Sequence, residues 1–408
     1  MATIAKIVLG GSNSTDTQGN PYRSAISYRL SQSSPFDLVD VLDDWEVEIK
    51  QGSSIVVART TKSFSLDKLR FVGTERIERF LDLLSFERHI QLELTQLADN
   101  YVVLHVCEEQ QIIQLVGTSD LSLQFVASLT VRDMYGNVRP APTIPPSVWI
   151  HALRYYRMSQ TSRNIYEAYR NLWLGLEVLL SAVAPKKRSK HEKKWLQQVL
   201  REVASRVDLK PYVPASVTDI VNYLVEEHYE AMRCNLFHAK TNPADGIPFT
   251  PNPDKAALAY TQLIYIWRVV AQELFETRTR VSGVITYEGF KLMMDNALSS
   301  DLSMAYTDDQ TPVTRGDTAI SPRGNVIINF DEVKYCGEIR PGHVGINGSL
   351  VIANHKELPV LHRIGVTLSK ALFCAGDVDG GLELHDVDRF ESLQIIRLIN
   401  KGAPRTLF

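Results

Sequence analysis

The chain has 408 residues, 44% of them hydrophobic and 22% charged, the profile of a soluble globular protein with apolar material for two or three cores. Its formal net charge of -3 excludes a global electrostatic pull toward polyanions, so a nucleic acid would have to meet a local basic patch. Cys107, Cys234, Cys336 and Cys374 stand far apart with no CxxC pair, which argues against a zinc site or a disulfide framework and fits a reducing cytoplasm. The opening run MATIAKIVLGGSNSTD lacks the charge, apolar core and cleavage site of a leader, and no stretch reaches the ~18 apolar residues of a membrane span. A cytoplasmic protein with no membrane partner, metal or cofactor is expected.

Residues 1–142 read as a β-rich domain. The runs IAKIVLGG, FDLVDVL, WEVEIKQ, SSIVVART, HIQLELTQL, YVVLHVC, QIIQLVG and LSLQFVASLTV are short, rich in β-branched residues and separated by polar or Gly-containing breaks. His89 to Leu94 alternate in polarity, as suits a sheet with one wet face. One helix interrupts them at 74–86, where Ile77, Phe80, Leu81 and Leu84 recur at spacings of three and four. GGSNSTDTQGN (10–20) reads as a polar loop and not a phosphate loop, because it lacks GK[ST] and precedes no helix. Four prolines within 138–149 then mark a linker.

Residues 143–282 read as an all-α bundle. A first helix covers Val148 to Gln160. RNIYEAYRNLWLGLEVLLSAVA follows, apolar on most sides past Leu172, which makes it the central helix, and Pro185 ends it. HEKKWLQQVLREVASRV carries Trp195, Val199 and Val203 on one stripe. ASVTDIVNYLVEEHYEAMRCNLFHAK forms one long helix or two with a bend. After the breaker loop NPADGIPFTPNP, Asp254 is expected to cap the apolar helix KAALAYTQLIYIWRVVAQELFETR. Residues 283–408 return to a β-rich domain after one helix, YEGFKLMMDNALS. Its strand-like runs are NVIINFDEV, GSLVIA, RIGVTLSKALFCAG and SLQIIRLIN. The fold class expected is therefore α+β and multidomain.

The chemistry sits in RCNLFHAK, residues 233–240. Arg233 is a permanent cation whose forked donors suit phosphate oxygens. His238 can move a proton near neutral pH. Together they suit metal-free RNA cleavage, in which the ribose 2′-OH attacks the adjacent phosphorus and DNA is spared. On an ideal α-helix the five-residue spacing leaves the two side chains ~140° apart. Either the helix ends between them or a second copy completes the site. The tract PKKRSKHEKKW offers Lys186, Lys187, Arg188, Lys190, Lys193 and Lys194 against one acid, Glu192, and is the strongest candidate for RNA-backbone contact. Glu177, in the apolar central helix, is a candidate partner that orients an arginine such as Arg233.

The RNLWLGLEVLL helix with Glu177, followed two helices later by Arg233 and His238 in an Rx4H motif, resembles the HEPN family, most closely its Apea-like branch. The resemblance covers about 145–280. It implies a helical bundle that pairs as a homodimer, two Rx4H motifs facing one cleft, and cleavage leaving 2′,3′-cyclic phosphate and 5′-OH ends. It further implies His238 as general base or acid and Arg233 as phosphate clamp. A regulated prokaryotic anti-phage defence or stress effector follows from the same likeness, with single-stranded RNA or tRNA as substrate. The flanking β-rich domains would then sense a protein trigger or regulator. The family commonly has a polar residue after the arginine; here it is Cys234, with Asn235 one place later, where it could position a phosphate or order His238.

Blander readings stand beside these. Arg233 could pair with Glu226, Glu227 or Glu230 on its own helix, and a histidine near a helix C-terminus is favoured by the macrodipole alone. The basic tract could be a solvated loop, and the bundle a non-catalytic dimerisation module that binds RNA or a partner. GDVDGGLELHDVD (376–388) clusters acids but reads as a turn between strands, since it is out of register with a calcium loop. The RGD tripeptide at Arg315–Asp317 lies in a loop, and an adhesion role does not fit a cytoplasmic protein.

Overall fold

The computed structural model describes residues 1–11, 13–95, 100–123, 130, 132–139, 145–186, 191–234, 236, 253–278, 285–299, 301–400 and 403–406. The chain divides into two compact units, one formed by 1–122 with 285–399, the other by 123–284 with 400–408. The two β-rich stretches read separately in the sequence therefore share one unit. Their strands are mixed within each sheet, because a strand whose edge is exposed in one stretch finds its partner in the other.

The smaller sheet holds β1 (Ala2–Ile4) and β2 (Ile7–Gly10) from the start of the chain, with β10 (Leu302–Thr307), β11 (Ile327–Asn329), β14 (Leu361–Leu368) and β15 (Ala371–Leu384) from its last third. Its order is β11-β10-β14-β15-β1-β2. The larger sheet holds β3 (Ser24–Leu30), β4 (Leu38–Leu42), β5 (Trp45–Ile49), β6 (Ile55–Thr60), β7 (Leu94–Thr95), β8 (Tyr101–Cys107) and β9 (Gln110–Leu123), joined by β12 (Glu332–Arg340), β13 (His343–Val351) and β16 (Arg389–Asn400). Here β16 neighbours β9, so the last strand of the chain lies beside one from the first third.

IAKIVLGG, expected as one strand, is a hairpin, with Ala5 and Lys6 at φ 49° and 65° in the turn. That left-handed pair normally advertises itself as Asn-Gly, so the turn has no signature in the sequence. HIQLELTQL is strand only at Leu94–Thr95; His89 is the left-handed cap of the preceding helix, 90–93 belong to no strand, and 96–99 lie outside the described residues.

The helix expected at 74–86 is α1 (Leu66–Arg88), about two turns longer at its start. Leu69, Ile77, Phe80, Leu81 and Leu84 face Ile26, Tyr28, Trp45, Val47 and Val56 of the larger sheet. Gly73 is where helix and sheet come closest: a Cβ there would lie 2.5 Å from Ile26 Cγ2. Gly73→Ala is expected to lower the midpoint of urea unfolding. Overpacking costs ~1–3 kcal/mol, more than the ~1 kcal/mol that alanine returns through helix propensity.

The other unit is helical. It contains α2 (Ala152–Thr161), α3 (Ile165–Val183), α4 (Glu192–Ala204), the short α5 (Ile220–Tyr223), a π-helix at Leu224–Cys234 and α6 (Pro253–Phe275). Asn164 starts α3 by accepting from the backbone N–H groups of Tyr166 and Glu167. Tyr169, Leu172, Trp173, Leu176, Leu179 and Leu180 make α3 the centre of the core, as its all-round apolarity requires. Helix α6 starts at Pro253, so Asp254 lies inside its first turn and does not precede it. Proline suits that opening position because its missing N–H would be unpaired anyway. Among the described residues no helix is long and apolar enough to cross a membrane. The last α-helix among the described residues, α7 (Tyr287–Ala297), belongs to the β-rich unit and is capped by Thr286, which accepts from Gly289 N–H.

Candidate active site

Of the two residues that define the Rx4H motif, Arg233 lies within the described residues. His238 and Asn235 lie outside the described residues, as do Lys187, Arg188 and Lys190 of the basic tract. The segment that carries Arg233 is not the expected α-helix. It is wound as a π-helix over 11 residues, far beyond the single-turn bulge that is usual for this geometry and that often marks functional sites. Its backbone bonds run i→i+5, so the angle computed for an α-helix does not describe this stretch.

The guanidinium of Arg233 is gripped from two other helices. Its Nη2 donates to Glu192 Oε1 at 3.0 Å, from the first turn of α4, and lies 3.5 Å from Glu177 Oε1 on α3. The Tyr229 ring, one turn earlier, stacks below it at 5.4 Å. Glu177 is fixed in turn by Trp173, whose indole Nε1 donates to the same Oε1 at 2.6 Å. Burial raises the Glu177 pKa, and the Trp173 hydrogen bond and the Arg233 charge pull it back down. Burial, then the negative charge of Glu192, pushes the Tyr229 hydroxyl up to about 12.

Two of the three same-helix acids named for Arg233 are taken up elsewhere. Glu230 binds Lys193 Nζ at 2.6 Å, and Glu226 accepts from Asn222. Lys193 is thus committed to an ion pair, while Lys186 and Lys194 are exposed. Lys186 is near enough to lower the Glu177 pKa. Trp195 is a core residue whose indole donates to the Ala184 carbonyl at 2.7 Å.

The structure therefore joins Glu177 to Arg233 and adds three groups. Glu192 reads in the sequence as the odd acid of a basic tract and Trp173 as part of the apolar central helix, and nothing in the sequence singles out Tyr229. Arg233 and Glu192 are 41 residues apart; only helix packing brings them together. The cluster carries two carboxylates and one guanidinium, a permanent cation held in a fixed orientation at partial burial.

Elsewhere, four of the acids in the stretch 376–388 have structural partners. Asp377 accepts from Val313 N–H, Asp386 from the N-terminal ammonium and Asn13, and Asp388 from Gln111 N–H, while Asp379 is ion-paired with Arg29. Among the described residues no His, Cys, Asp and Glu group could hold a metal ion. The aspartate of the RGD tripeptide, Asp317, is bound to the fully buried Arg363 at 2.6 Å and is not offered to a receptor.

The family described as methylamine utilization protein MauJ has a sequence model that matches residues 152–276. That stretch runs from the first residue of α2 to the end of α6, the helices that assemble around Arg233. No curated protein and no solved structure matches the chain.

Proposed function

We propose that the helical unit is a metal-independent endoribonuclease of the HEPN type, working as a homodimer on single-stranded RNA or tRNA. The observation that carries this reading is the fixed guanidinium of Arg233 at the end of the π-helix, five residues before His238. A braced arginine can meet a phosphate oxygen without first losing side-chain freedom. In this reading the 2′-OH oxygen forms a bond to phosphorus while the bond to the 5′-oxygen breaks. His238 takes the 2′ proton or supplies one to the leaving oxygen, and Arg233 holds the negative charge of the crowded phosphate. The products are a 2′,3′-cyclic phosphate and a 5′-OH end. Lys186 and Lys194 would meet the RNA backbone beside the groove. The description of the matching family, methylamine utilization, names no reaction, so the chemistry rests on Arg233 and its neighbours.

A second reading is a non-catalytic dimer that binds RNA or a partner. It is favoured by the two carboxylates on Arg233, which oppose an incoming phosphate, and by Cys234 in the position next to it. Labelled RNA incubated in EDTA separates the two. Cleavage that survives EDTA, leaves cyclic phosphate ends and disappears in Arg233→Ala and His238→Ala is the expected result. RNA binding without cleavage assigns the second reading; cleavage undiminished in both variants removes Arg233 and His238 from the site.

A further inference from the structure

The β-rich unit holds a cleft of about 480 Å³ where four pieces of chain meet: the β1–β2 turn, β3, the β5–β6 turn at residues 51–54, and β15. The β1–β2 turn is tied to β15 and to the end of β5. Ala5 N–H donates to the Gly381 carbonyl at 2.9 Å, and the Lys50 ammonium donates to the Lys6 carbonyl. Gly380 has φ +70°, and a Cβ on it would lie 2.4 Å from the Ala5 Cβ, so only glycine lets the turn close down on β15.

Two cations line the cleft, Lys6 and Arg29, against one acid, Asp379. The acid does not cancel the arginine; it aims it. Asp379 Oδ2 lies 2.8 Å from Arg29 Nε in an ion pair and is held in place by the Ser54 hydroxyl, which donates to it at 3.1 Å. With Nε occupied, the two Nη groups of Arg29 remain as a fork, and among the described residues neither they nor the Lys6 ammonium has an acceptor. A planar fork beside a point cation on a separate turn suits an oxyanion with several oxygens. The volume lies within the range of small-molecule sites, about 300–1,000 Å³.

We propose that this cleft binds the phosphate of a small phosphorylated molecule, of sugar-phosphate or mononucleotide size, through the Arg29 fork and the Lys6 ammonium. Asp379 is the positioning residue. The site lies wholly within the β-rich unit, and the proposal does not depend on what the helical unit does. A carboxylate ligand shares part of the chemistry, and a monocarboxylate probe tells the two apart, because it lacks the third oxygen and the second charge.

The test is calorimetric titration of the full chain, at low ionic strength, with ribose 5-phosphate, inorganic phosphate and acetate. One saturable site for ribose 5-phosphate is expected, with acetate at least about tenfold weaker. Arg29→Gln and Lys6→Gln should each weaken the phosphate probe about tenfold. Both side chains are largely exposed, so the variants are expected to fold, which circular dichroism checks. Asp379→Asn should weaken the probe although it removes a negative charge, a result that a merely electrostatic patch would reverse. No saturable binding of either phosphate probe overturns the proposal, as does binding unchanged by Arg29→Gln and Lys6→Gln. Acetate binding as tightly as ribose 5-phosphate replaces phosphate by carboxylate and overturns the ligand class.

Discussion

On the proposed ribonuclease reading, Arg233→Ala is expected to lower RNA cleavage by about a hundredfold or more, the usual cost of removing one donor aimed at transition-state charge. Its two carboxylates should respond in opposite directions. Glu177 has 23% of its side chain exposed and is locked by the Trp173 indole, so it sets where the guanidinium points. Glu177→Gln should therefore reduce cleavage, and Trp173→Phe should do so more mildly by loosening Glu177. Glu192 is more exposed, at 31%, and stands at the start of α4, where a helix N-terminus stabilises a carboxylate that swings away. An incoming phosphate can take its place on Nη2. Glu192→Gln should tighten RNA binding by about threefold to tenfold and steepen its salt dependence, because one fewer negative charge opposes the backbone. Equal losses in both glutamine variants would make the carboxylates mere braces. Alanine at 233 also leaves two carboxylates facing each other, which destabilises by itself. Arg233→Lys keeps the charge but loses the fork; cleavage should still fall steeply while the unfolding midpoint recovers.

The helices were legible because their signals are local. Asn164 caps α3, Pro185 follows its end, and Trp195, Val199 and Val203 share one face of α4. The π-wound stretch was not, since residues 224–234 have ordinary helical composition and only backbone geometry separates the two windings. The hairpin at Ala5 and Lys6 escaped for the opposite reason: its backbone demands residues that the sequence does not use. Sheet partnership was out of reach, because strand patterning tells which face is wet but not which edge is met. β1 pairs with β15 across nearly the whole chain, and no spacing rule anticipates that. At the site, Glu177 stood out as an acid in an apolar helix. Glu192 did not, because an acid among lysines looks like solvated surface until α4 is packed against the π-helix.

His228 gives the helical unit a stability that should fall steeply in mild acid. It lies on the π-helix five residues before Arg233, is 1% exposed, and stacks parallel to the Tyr169 ring. The Tyr169 hydroxyl donates to the His228 carbonyl at 3.1 Å, which leaves its oxygen, also at 3.1 Å, to accept from Nδ1–H. Burial then lowers the imidazole pKa from 6.5 to about 4, against a weaker opposing pull from Gln262. The unfolded chain binds this proton below pH ~6.5, while the folded unit refuses it until about pH 4. Stability is therefore full above ~6.5, declines as the pH falls between the two values, and has lost about 3 kcal/mol at the lower one. Four of the five tryptophans, Trp149, Trp173, Trp195 and Trp267, lie in the helical unit. Tryptophan fluorescence in urea thus reports mainly this unit and little of the β-rich one, where buried His343, also at about 4, would act with the same sign. The urea midpoint should drop between pH 7 and pH 4.5, and His228→Gln, which cannot take up the proton, should flatten that dependence even if its midpoint at pH 7 is lower. A midpoint in the histidine protein that stays constant through this range would mean that the ring is hydrated or paired in solution and carries its charge without cost.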